Sequence, residues 1–206
     1  MPNICSYQLK VTGKTKESVL EFAEICKANY SYDKMELPER HFSRVFEADY
    51  DLDTLEEFEG VYELVISGCC AWSFKACFMG GLHTYYNYIL NYYKNKARVT
   101  NIKRECKRLN LFVEAFSEEP GCEFQEHVIC TPKGMLKNEA ADISGMFNEE
   151  GDRVNDDLGF DWEYESFYLS DFEKYKPVHR DRTKARRRHK SCLLYTSPSP
   201  RDTERS

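Results

Sequence analysis

The stretch LFVEAFSEEPGCEFQEH, residues 111–127, gathers five carboxylates, one thiol and one imidazole around Pro120-Gly121. Glu114, Glu126 and His127 are its acid–base candidates. General acid–base chemistry needs a carboxylate and an imidazole within hydrogen-bond reach of a substrate held in a cleft. Cys122 and Cys77 are the thiol candidates, with His127 or His83 as base. A thiol ionises in an electropositive setting, and the acids around Cys122 oppose that. The plainer reading of Glu114 with His127 is a cross-strand charge pair, contributing about 0.2–1 kcal/mol, and we adopt it.

Metal chemistry fails on spacing. DYDLDTLEEFEG, residues 49–60, opens like a calcium loop with Asp49, Asp51 and Asp53. Such a loop needs glycine at its sixth position and a bidentate glutamate at its twelfth; Thr54 and Gly60 stand there. Cys69, Cys70, Cys77 and His83 lack the close pairs that zinc sites use, and the chain has no CxxC. No metal and no cofactor is expected, and Cys5, Cys70 and Cys130 read as small buried apolar groups. Trp72, Tyr85 and Tyr86 are the binding candidates: the aromatic region they head could line a ligand groove, and more often such a stripe is core or an interaction surface.

These residues must be positioned by elements. ICSYQLKVTG, residues 4–13, alternates with period two and predicts a strand. Thr15 then caps a helix whose apolar stripe is Val19, Phe22, Ala23 and Cys26, with a stop near Asn29. Residues 41–50 and 61–72 predict strands. Ser73 caps a short turn, 82–96 reads as a tyrosine-rich helix, and 100–109 as another. Pro120-Gly121 predicts a type II turn from Glu119 to Cys122. In that register Glu114 faces His127 and Ala115 faces Glu126. FDWEYESFYLSD predicts a last strand over 160–169. The order is an α+β, ferredoxin-like βαββαβ arrangement: an antiparallel sheet, helices on one face, and extra C-terminal strands.

Composition bounds the rest. The chain has 206 residues, 41% hydrophobic and 14% aromatic, enough for one domain with a real core. No apolar run is long enough for a membrane span, and the start lacks a signal peptide's pattern. Nine cysteines, an odd number, fit reduced thiols and a cytoplasmic location. The whole chain holds 29 Lys/Arg and 35 Asp/Glu; residues 1–176 hold 20 and 32 of these. Residues 47–63 carry eight acids and no base. Such a surface repels phosphate backbones, so nucleic acid is not the expected partner of the acidic body.

MPNICSYQLKVTG, GCCAWSFKAC and VEAFSEEPGCEFQEH together resemble the YubB-like ferredoxin-fold family over residues 1–135. The markers are Asn3 and Cys5, Ala71-Trp72-Ser73, and Glu118 to His127. Phe74 stands where several members carry proline, and the QEH of 125–127 differs from their shorter hairpins, which marks a distinct branch. The resemblance implies a ferredoxin-like fold and a phage, prophage or plasmid origin; it supplies no catalytic residues. Residues 192–202, CLLYTSPSPRD, resemble one translated frame of a transposase-based sequencing adapter. The expected organisation is thus a domain over 1–135, an acidic extension over 136–176, a basic tail of doubtful origin over 177–191, and an adapter-like end over 192–206. The expected function is that of a non-enzymatic interaction protein with an unknown protein partner. The alternatives are an acidic decoy for a basic host protein and a small acid–base or metal-assisted hydrolase centred on residues 111–130.

Overall fold

The computed structural model describes residues 3–27, 40–79, 98–148, 152–155 and 157–177. The helix expected over 82–96, with His83, Tyr85 and Tyr86, lies outside the described residues, as do Asn29, nearly all of the basic tail and the adapter-like end.

Strand β1, Ile4–Gly13, buries Cys5, Tyr7, Leu9 and Val11 on one face. Helix α1, Lys16–Lys27, follows, with the Thr15 hydroxyl accepting the Ser18 N–H at 3.3 Å. Its buried stripe is Val19, Phe22, Ala23, Ile25 and Cys26. Next come β2, Arg40–His41, and β3, Val45–Asp49. Strand β4, Glu56–Phe58, returns into β5, Val61–Ala71, through Glu59 and Gly60. Both turn residues have positive φ, 50° and 82°, as a two-residue hairpin of matching twist requires.

Ser73 caps a π turn at Lys75–Met79, its hydroxyl accepting the Ala76 N–H at 3.1 Å. Strand β6, Arg98–Val99, pairs parallel with β2. Helix α2, Ile102–Leu109, is capped by Asn101, whose side chain accepts the Arg104 N–H, and ends at left-handed Asn110. Its buried Glu105 takes Arg40 at 3.1 Å and Arg108 at 2.7 Å, tying β2 to the helix. Strands β7, Leu111–Glu119, β8, Phe124–Thr131, and β9, Gly134–Asp142, complete the sheet.

The sheet is antiparallel in the order β3-β5-β1-β7-β8-β9, with β4 also paired to β5. The run β3-β5-β1-β7, with α1 after β1 and α2 before β7, is the ferredoxin-like arrangement; β8 and β9 extend it. One large core lies between α1, α2 and the sheet. Its aromatic centre is Phe78, whose ring lies 4.3 Å from Phe74, 4.6 Å from Phe42 and 5.0 Å from Tyr7.

Three expectations are corrected. Residues 160–168 form no strand and no other regular element, and Leu169–Lys174 is a short helix, α3. This segment lies on the sheet face opposite α1 and α2, where Phe167 and Phe172 pack on Phe112, Ile129 and Val61. Helices therefore stand on both faces. The hairpin turn is not type II. Pro120–Cys122 makes a 3-10 turn ending at left-handed Glu123, because a type II turn matches strand twist poorly. The register moves by two residues, with Glu119 opposite Phe124 and Phe116 opposite His127. Finally, β9 spans the boundary expected at 135/136, so the extension starts as part of the same sheet.

Gly68 sets how closely β3 approaches β5. A Cβ there would sit 2.0 Å from the Glu47 carbonyl oxygen, to which the Tyr7 hydroxyl donates at 2.9 Å. Gly68→Ala is expected to destabilise the fold by about 1–3 kcal/mol, the usual cost of overpacking, measured by urea unfolding. An unchanged midpoint would show that β3 yields freely.

Candidate functional site

Alternation decides which side chains meet. On β7 and β8, Phe112, Glu114, Phe116, Gln125, His127 and Ile129 share the face away from α1 and α2. Val113, Ala115, Ser117, Glu126, Val128 and Cys130 share the other. The two-residue register shift preserves this partition, since only an odd slip exchanges faces.

Glu114 and His127 are brought together. They are diagonal neighbours, and His127 Nε2 lies 2.7 Å from Glu114 Oε1. With Glu114 ionised, Nε2 carries the hydrogen, because a carboxylate only accepts. The second oxygen, Oε2, accepts the backbone N–H of Glu165 at 2.6 Å. Glu114 is fully buried and His127 nearly so. The imidazole stacks on Phe116, with centroids 4.1 Å apart and planes 19° apart, and meets the edge of Phe160. Trp162 continues the stack at 5.8 Å from Phe116.

The cover is stitched to the sheet at further points. The Phe160 N–H donates to Gln125 Oε1 at 2.8 Å, and the Tyr164 hydroxyl to Gln8 Oε1 at 3.0 Å. Burial, and secondarily the Glu114 charge, push the Tyr164 phenol well above its usual range. Lys10, almost buried, lies 3.6 Å from Glu63 and 5.6 Å from the centre of the Tyr164 ring. The Phe160 and Glu165 N–H groups, which a strand would give to a ladder, thus go to side chains of the sheet.

Glu126 is not part of this cluster. It points into the main core, where its Oε2 accepts the Ser117 hydroxyl at 3.2 Å and the Lys75 N–H at 3.1 Å. It therefore anchors the start of the π turn, and the Lys75 ammonium stands 3.9 Å from its other oxygen. The three acid–base candidates do not share one site. Cys122 is exposed, receives the Asn3 amide at 2.7 Å, and has its thiol pushed up by a hydrogen bond with Glu119. Cys77 is buried and donates to the Ala71 carbonyl at 3.0 Å. Among the described residues no group of three or more His, Cys, Asp or Glu is placed to hold a metal ion. Asp51 instead caps a 3-10 turn, accepting the Asp53 N–H at 2.9 Å.

Trp72 is 41% exposed, with the Arg44 guanidinium 3.9 Å over its ring. Both residues have positive φ, 67° and 58°. The Trp72 N–H donates to the Asn3 carbonyl at 2.8 Å, closing the sheet's end beside the hairpin loop. Sequence reasoning missed Phe160, Trp162 and Tyr164 as a cover. A signal was present in Gly159. Its φ is 88°, and a Cβ there would lie 2.2 Å from Gln125 Oε1, so the chain enters the cover by a close approach that glycine permits.

Comparison of the chain with family models, curated proteins and solved structures gives no match.

Glu114→Ala leaves the buried imidazole and the Glu165 N–H without their acceptor. The expected loss is about 1–3 kcal/mol for each orphaned group, read by urea unfolding. In a Trp72→Phe background, Trp162 emission should also shift to the red as the cover loosens. Glu114→Gln keeps an acceptor and should shift it less. Equal emission from all three proteins would show that the carboxylate does not hold the cover.

Proposed function

We infer that the chain is a non-enzymatic interaction protein of the phage or mobile-element type implied by its YubB-like motifs, and that a basic protein partner docks on its acidic edge. One observation carries this reading. Phe58, Tyr168 and Leu169 are 52%, 42% and 47% exposed, and the rings of Phe58 and Tyr168 lie 6.3 Å apart. Leu169 packs beside the Gly60 turn. Exposed Asp51, Asp53, Glu56, Glu57 and Glu59 lie in the same turn-rich segment. An apolar centre with a charged rim is how protein interfaces are built, the centre excluding water and the rim setting charge preference.

The acid–base pair supports the same reading from the other side. Both oxygens of Glu114 are committed to internal donors beneath the cover, so the pair serves packing. Eight described cysteines are free thiols, which fits a reducing cytoplasm. The acidic surface fits a basic protein better than a phosphate backbone.

Affinity capture with the full chain tests this, comparing wild type with Glu56→Gln/Glu57→Gln/Glu59→Gln and with Phe58→Ser. Captured proteins should be basic and should be released by raised salt. The triple variant should lose about tenfold in affinity, as three exposed pairs at about 0.5 kcal/mol each would give. Capture indifferent to salt and to all these changes, or capture of nucleic acid in place of protein, would overturn the assignment.

A further inference from the structure

Among the described residues, strand β9 is the last in the sheet order and is paired on one side, to β8. Its outer row of backbone N–H and C=O groups is a template for another strand. Lys75 marks one of its acceptors, donating to the Glu139 carbonyl at 2.7 Å. Leu136, the extra residue at the bulge opposite Ile129 and Cys130, is 47% exposed.

The strand reads GMLKNEAAD, and its charges complement a copy of itself. Lys137 and Glu139 lie on the same face, 3.7 Å apart, facing the row of Ile129 and His127. A two-fold axis through Asn138 sets Lys137 opposite Glu139 of the second copy, and Glu139 opposite Lys137. Leu136 then faces Ala140, a large side chain against a small one, and the bulge turns Met135 to the core face with Cys130, so the charged pairs lie at the centre of a short ladder. Sliding by one paired step sets Lys137 against Lys137 or Glu139 against Glu139. Pairs of like charge directly opposite are destabilising, so the charges select one register.

We propose that two copies of this chain associate through antiparallel β9–β9 pairing centred on Asn138, making one continuous sheet. The contact is separate from the acidic edge assigned to a basic partner, and the two fail independently. The flexible Lys75 side chain gives up its carbonyl to the incoming strand and keeps Glu126 as its counter-charge.

Sedimentation of the full chain across a concentration series tests this. Wild type should show a reversible dimer. Lys137→Glu sets glutamates against each other, and Glu139→Lys sets lysines. Each should weaken dimerisation by about tenfold or more, with unchanged far-ultraviolet circular dichroism. The exchange Lys137→Glu/Glu139→Lys restores opposite charges and should return the dimer to within about threefold of wild type. A monomer throughout, a dimer insensitive to the single changes, or an exchange variant as weak as the singles would overturn the proposal. So would a monomer whose β9 pairs with a foreign strand.

Discussion

A single carboxylate joins the sheet to the segment that covers one of its faces. Glu114 projects from the middle of β7 into a space closed by residues 160–175, and each oxygen serves a different element. One holds the imidazole of the neighbouring strand and the other holds the backbone of the cover. A buried charge without such partners would be very costly. The cover therefore has to lie where its N–H groups reach the sheet's side chains, and the aromatic stack of Phe116, His127 and Trp162 follows from that placement. The acidic extension is held down by contacts that are polar at the centre and apolar around it.

That arrangement explains what the sequence could and could not reveal. β1, α1, β5, α2 and the β7–β8 hairpin were readable because each has one dominant period. Thr15 and Ser73 marked true starts, since their side chains satisfy N–H groups that the first turn leaves open; Asn101 does the same for α2 and was not singled out. The segment 160–168 was misread for an equally physical reason. Alternating aromatic residues announce an extended chain with one face buried. They do not announce where its backbone donors go. Here the acceptors of Phe160 and Glu165 are Gln125 and Glu114, more than thirty residues earlier, and no local pattern records such a partner. The short α3, anchored by Phe172, was lost in the same misreading.

The candidate site was half readable. Glu114 and His127 met because the hairpin was correctly placed, even though its loop holds two more residues than expected. Glu126 and His127 are adjacent, and adjacent strand residues point to opposite faces. The period of two thus already separated them, and the structure sends Glu126 to the π turn. The acidic character of residues 47–63 was plain from composition. Its alignment with Tyr168 and Leu169 depended on how the C-terminal segment folds back, which composition does not encode. The left-handed backbone of Trp72 had no sequence sign, for bulky residues seldom occupy that region.

The hairpin loop shows how such a pair constrains the history of a chain. Pro120 to Glu123 connects two ribbons whose inner and outer sides carry incompatible contents: a hydrogen-bonded imidazole on one, the anchor of a turn on the other. Adding or removing one residue with the strand register displaced by one would swap those contents. Adding or removing two leaves each in its own compartment. Length variation at this corner is therefore confined to the loop itself, or to a bulge such as the one between β8 and β9, because it must not slide one ribbon past the other by a single residue.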